Sequence, residues 1–166
     1  MPREFPNLSA AVALAIDTET KETDFSNGPG WGRGKGHIVG VSVAALAADG
    51  TRGKWYFPVR HEVEGHDNLD PRGVFGWLKS VLHTPVPKVG ANLLYDVGWL
   101  TTEGIYVDGP LHDVQFAEAL IDEFAFVALD ILGRKYLREG KTTNVMYEWL
   151  RAAYPETPVS ETRGNI

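Results

Sequence analysis

The chain has 166 residues, 43% of them hydrophobic, which is enough for one domain with a packed core. It contains no cysteine, which excludes disulfides and thiolate metal sites and agrees with a cytoplasmic protein. The net charge of −6 argues against broad electrostatic binding of nucleic acid by this chain alone, but carboxylates that hold metal ions would add negative charge of the same sign.

In chain order, the first apolar run covers residues 10–16 and is too short to cross a bilayer. It leads directly into Asp17-Thr18-Glu19-Thr20 without a small-residue cleavage site, so it is not read as a secretory signal. Residues 11–17 read as a buried strand. Residues 18–36 are polar and rich in Gly, with Pro29, and read as a loop. Within it, residues 28–36 carry five glycines with Trp31, Arg33 and Lys35. Gly34-Lys35 is followed by Gly36 rather than Ser or Thr, so this is no phosphate-binding loop, and an exposed linker is the favoured reading over a loop touching DNA. Residues 37–47 form a second strand, Asp49-Gly50 a turn, and residues 54–59 a third strand. These three strands predict an antiparallel meander.

Helices follow. Asp70 suits an N-cap and Pro71 the first helical position, with Val74, Leu78, Val81 and Leu82 at helical spacing. Residues 88–91 read as a short strand. A helix starts near Asn92 with Leu93, Val97 and Leu100 on one face. Val107 is assigned to a final strand, and residues 112–121, 129–137 and 145–153 to further helices. The order is that of an α/β fold with a mixed sheet flanked by helices. The five histidines show no metal-binding spacing, and Trp77 and Trp99 read as core or interface residues.

Two acidic motifs stand out. Asp17 and Glu19 sit two apart at a strand end, so both carboxylates face the same side of the sheet. Two such carboxylates repel one another, and a divalent cation between them removes the repulsion. Two ordinary solvated acids would explain the same pattern. In Asn92-Leu93-Leu94-Tyr95-Asp96, the acid falls in a first helical turn, where the helix dipole alone accounts for it.

In this combination and order, the sequence resembles the proofreading 3′–5′ exonuclease domain of the bacterial and phage DNA polymerase I type (family A), within the ribonuclease H-like superfamily. Asp17-Thr18-Glu19-Thr20 matches the first motif of that family and Asn92-Leu93-Leu94-Tyr95-Asp96 its second, an Asn-x-x-Tyr-Asp. Ile38-Val39-Gly40-Val41-Ser42 and Tyr56-Phe57-Pro58-Val59 fit its second and third strands. Asp113-Val114-Gln115 and Leu129-Asp130-Ile131-Leu132 resemble its later helix starts. The resemblance runs from about residue 11 to residue 150.

The resemblance implies a ribonuclease H-like fold and hydrolysis of phosphodiester bonds with two Mg²⁺ or Mn²⁺ ions. By residue, Asp17 would bridge both ions, Glu19 would bind the first and help orient the attacking water, and Asp96 would support the second. Thr20, Asn92 and Tyr95 match positions that hold the 3′-terminal nucleotide. The implied partners are a single-stranded DNA 3′ end and a polymerase domain of the same chain, with no membrane.

The third motif of the family, a Tyr-x-x-x-Asp that completes the first metal site, is absent. Four positions after Tyr56, Tyr95, Tyr106, Tyr136, Tyr147 and Tyr154 stand Arg60, Trp99, Pro110, Gly140, Arg151 and Pro158. Asp113 and Asp130 come too early and read as helix caps or surface acids. The chain is therefore expected to be a single exonuclease domain ending short of its last motif. With Met1 as a native start, no 5′-nuclease domain would precede it, as suits a phage-type polymerase. Two alternatives stay open: a free-standing 3′–5′ exoribonuclease of the same superfamily, and a nucleic-acid-binding or scaffold domain that has lost catalysis.

Overall fold

The computed structural model describes residues 4–22, 24, 27–62, 67–140, 148–149, 151–152 and 155. It divides into two compact units, Met1–Val114 and Gln115–Ile166.

The first unit is built on a five-stranded mixed sheet in the order β3-β2-β1-β4-β5. Its strands are β1 (Ala11–Glu22), β2 (Gly36–Ala47), β3 (Arg52–Pro58), β4 (Lys88–Gly90) and β5 (Leu111–Asp113). β1 to β3 form the expected antiparallel meander, and β4 and β5 add in parallel on the other side of β1. The turn after β2 is drawn by Asp49-Gly50. Gly50 has φ +86°, its N–H reaches Ala47 O at 3.0 Å, and the Asp49 side chain accepts from Thr51 N at 2.8 Å. The exposed positions of β3 carry Tyr56 and two charges, Arg52 and Lys54, that suit an edge strand.

Helix α1 (Pro71–Leu82) starts where the sequence signals it. Asp70 accepts from Arg72 N and Gly73 N, and Pro71 occupies the first turn. Val74, Leu78 and Leu82 are its buried stripe. They join Ile16, Ile38, Val41, Val43, Phe57, Leu93, Trp99, Leu100 and Ile105 in one core. Half-buried Trp77 stacks on Phe5 with ring centroids 5.3 Å apart and tilts against Phe57 at 4.7 Å, packing against the core in which Trp99 is buried. Helix α2 (Leu93–Thr102) follows β4.

Several expectations are corrected. Residues 18–22 are not loop: they continue β1, because each pairs across to β2 from Thr18↔Val41 to Glu22↔Gly36. The glycine-rich segment is not an exposed linker. It contains a 3-10 turn, Gly30–Arg33, tied down by buried Glu22, which accepts from Gly30 N at 2.5 Å. Arg33 pairs with Asp24 at 2.9 Å, and a Cβ on Gly98 of α2 would lie 2.3 Å from the Trp31 indole. The absence of a side chain at Gly98 is what lets Trp31 seat against the helix. Val107 is not in a strand: it packs against the core, Asp108 N bonds to Leu82 O, and the last strand is Leu111–Asp113. The helix expected over 112–121 starts at Val114, since His112 and Asp113 pair with β4.

In the second unit, α3 (Val114–Ile121) and α4 (Leu129–Leu137) meet through Glu118. That carboxylate is 2% exposed and accepts from Lys135 Nζ and Tyr136 Oη, each at 2.5 Å. The helix expected over 145–153 falls largely outside the described residues, although residues 148–149 and 151–152 are helical.

Candidate active site

The site grows from the point where β1 loses its parallel neighbour. β4 pairs with β1 only at Leu14↔Lys88 and Ala15↔Val89. Beyond Ala15 the edge of β1 facing β4 needs other hydrogen-bond partners. Helix α2 supplies one. Asp96 Oδ1 accepts from Thr18 N at 2.8 Å and from Thr18 Oγ1 at 2.7 Å. Thr18 is the buried residue between the two acids, so the core-facing side of β1 grips α2 while Asp17 stays exposed.

Helix α2 begins abruptly. Asn92 holds a left-handed conformation (φ 60°, ψ 43°), which Asn tolerates better than most residues, and it makes no side-chain cap. The cap comes from β5: Asp113 Oδ2 accepts from Leu93 N at 2.7 Å. Asp113 thus serves as a helix cap, though of a helix other than the one it precedes. Asp130, in the first turn of α4, pairs with Arg134 at 2.8 Å.

The electrostatics at Asp96 are unusual for a carboxylate. It is 3% exposed. Burial pushes its carboxyl up from 3.8 to about 6, the Thr18 bonds pull the other way, and the charge of Asp17 adds to the rise. Asp17 and Asp96, distant in sequence, therefore lie within electrostatic reach. Glu19 shares the face of Asp17, two residues along the strand, opposite Gly40 of β2. A further pair comes together beside them: Thr20 Oγ1 and Tyr95 Oη are 2.7 Å apart.

The structure thus joins the two motifs through Thr18–Asp96 and Thr20–Tyr95, and places Asn92 at the exposed helix start. Among the described residues no three His, Cys, Asp or Glu side chains are gathered closely enough to hold a metal ion. The donors themselves are hard carboxylate oxygens, which suit Mg²⁺ or Mn²⁺. A cation shared by Asp17 and Asp96 would offset both the burial and the repulsion that raise the proton affinity of Asp96. Glu19 is the next acid on the face of Asp17.

Sequence reasoning missed two things here. Thr18 links the motifs; its place between two acids of the same strand phase, which turns it to the opposite, core-facing side, was the available signal. The other is Tyr56 on β3, whose hydroxyl lies 2.6 Å from His61 Nε2. Partial burial, and then the charge of Glu19, push the Tyr56 phenol up to about 12.

A five-stranded mixed sheet in this order, flanked by helices, is the ribonuclease H-like architecture that the sequence implies. Comparison with known proteins agrees. The chain is 38% identical over 123 residues to a DNA-directed DNA polymerase of Pseudomonas phage M6, a match covering 71% of this chain and 18% of that protein. It is 25% identical over 142 residues to DNA polymerase I of Borreliella burgdorferi, covering 86% of this chain and 14% of that one. Among solved structures it resembles the apo form of a nuclease (TM-score 0.52, 19% identity, 80% of this chain and 55% of that one). It also resembles the POL domain of Pol1 from M. smegmatis in complex with DNA primer-template and dNTP (TM-score 0.51, 17% identity, 80% of this chain and 20% of that one). No protein-family model matches. In sequence the chain is thus similar to DNA polymerases, one of them a DNA polymerase I. It spans less than a fifth of the length of the two polymerases it matches.

Proposed function

We propose that this chain is a metal-dependent 3′–5′ exonuclease domain that removes nucleotides from DNA 3′ ends beside a polymerase domain. The observation that carries the reading is the seating of Asp96 on Thr18, which brings the second acidic motif onto the first at Asp17. Kinship with two DNA polymerases supports DNA as substrate and a polymerase region as partner.

On this reading, Asp17, Glu19 and Asp96 would hold two Mg²⁺ or Mn²⁺ ions, whose chemistry when bound would be to activate water and to stabilise a leaving oxygen. The residues of the chain do the rest. Thr18 fixes the Asp96 carboxylate by two hydrogen bonds, so one oxygen is oriented before any ion arrives. Thr20 and Tyr95, already bonded to each other, offer hydroxyls to the terminal nucleotide. Asn92, exposed at the start of α2, offers an amide beside them.

The test is hydrolysis of single-stranded DNA labelled at either end, in Mg²⁺. The 166-residue chain should show little activity. A polypeptide extended through its natural downstream sequence should shorten the DNA from its 3′ end, and Asp17→Ala or Glu19→Ala should abolish this. Preferential cleavage of RNA would favour the exoribonuclease alternative. DNA binding without cleavage in Mg²⁺ or Mn²⁺ would make the domain a binding module.

A further inference from the structure

The sheet face that carries Asp17 and Glu19 holds a third polar group that neither acidic motif contains. Strand register places it. Asp17 pairs with Ser42 and Ser42 with Tyr56, so these three form one rung across β1, β2 and β3. Two rungs along, Glu19, Gly40 and Pro58 form the next one on that face. Side chains of one rung share a face, so Tyr56 stands on the face of the acids.

Tyr56 does not stand upright on its own rung. A Cβ built on Gly40 would lie 2.0 Å from its hydroxyl oxygen, 2.5 Å from Cζ and 2.8 Å from Cε2. The ring therefore leans diagonally into the cell that a side chain at position 40 would fill. That cell is directly opposite Glu19. Gly40 is needed there because the phenol occupies its place.

The hydroxyl is held on its far side. It lies 2.6 Å from His61 Nε2, and the backbone of His61 is clamped by Asn68, which accepts from His61 N at 2.9 Å and donates to His61 O at 2.8 Å. A phenol leaning over a glycine, tethered by a clamped imidazole and aimed at the cell opposite a site acid, is a more elaborate arrangement than packing an edge strand requires. Tyr56 remains 40% exposed, so the hydroxyl is not placed there to fill a core.

We propose that Tyr56 is a positioning residue for Glu19: His61 Nε2–H donates to the phenol oxygen, and the phenol O–H donates to the Glu19 carboxylate, fixing which oxygen that carboxylate presents to the cleft. This rests on the nuclease reading given above and assigns a second supporting hydroxyl to its site, as Thr18 supports Asp96. Outer partners of metal-binding carboxylates commonly matter by 10- to 100-fold in metal affinity or activity, on the order of the effect expected here.

Tyr56→Phe keeps the ring over Gly40 and deletes only the hydroxyl. It should leave the melting temperature unchanged and weaken Mn²⁺ binding by about tenfold in calorimetry. In the full-length active polypeptide it should lower kcat by about tenfold, with KM for single-stranded DNA unchanged within roughly twofold. Combined with Glu19→Gln it should add nothing, because the hydroxyl acts through Glu19. Gly40→Ala should reproduce the loss by pushing the ring out of its cell, while His61→Gln, which keeps a donor, should retain more function than His61→Ala. Unchanged Mn²⁺ affinity and kcat in Tyr56→Phe, beside a wild type that binds Mn²⁺ and cleaves, overturns the role of Tyr56 and spares the nuclease reading. A loss additive with Glu19→Gln also overturns it. A wild type that neither binds Mn²⁺ nor cleaves overturns both.

Discussion

At the residue scale, Asp96 carries the strongest physical tension. Its folded carboxyl titrates near 6 against an ordinary 3.8, so the folded state binds that proton more tightly than the unfolded chain does. The associated stability is fully present below about pH 4 and is lost as pH rises through about 6. At pH 8 without metal, ionised Asp96 weakens the fold. Asp96→Asn keeps an oxygen for Thr18 and removes the charge. Chemical denaturation of the metal-free chain should find it more stable than wild type by about 2 kcal/mol at pH 8, with the difference vanishing near pH 4. An Asn variant less stable at pH 8 would mean the ionised carboxylate is well accommodated without a cation. Sites that trade stability for function in this way are where substitutions stabilise and inactivate together.

At the scale of elements, the site depends on how α2 is launched. β4 ends at Gly90, Asn92 turns the chain through a left-handed residue, and Asp113 of β5 caps the first free N–H of the helix. Asp113→Ala should cost about 1 kcal/mol in denaturant unfolding, and Asp113→Asn much less, because Asn still accepts the bond. A neutral Asp113→Ala would show that the cap does not hold α2 in place. This cap was legible only in part. The sequence marks Asp113 as a helix-capping acid, but which helix it caps depends on β5 pairing in parallel with β4, a non-local contact. The same limit explains other differences. Asp70-Pro71 and the Val74, Leu78, Leu82 spacing are local signals, and α1 begins and packs where they say. The extension of β1 through Thr18–Glu22 is hidden by polar residues that only pairing with β2 orders. Trp31 looked like part of a linker because the glycine that receives it, Gly98, lies far along the chain.

At the scale of the whole molecule, two short motifs separated by most of the sheet meet because the central strand outruns its parallel neighbour. The motif residues were marked by their resemblance to a known pattern, and the structure bonds Thr18 to Asp96 and Thr20 to Tyr95. The supports, Thr18 and Tyr56, were not, since each is defined by what crosses the strand rather than by what adjoins it in sequence. The central question is whether Asp17 and Asp96 serve a cation. Isothermal calorimetry of Mn²⁺ with the 166-residue chain at neutral pH asks it without any need for turnover. Weak binding that is largely abolished by Asp17→Ala is the predicted result. Mn²⁺ affinity unchanged in Asp17→Ala would contradict the assignment of Asp17 to the metal centre.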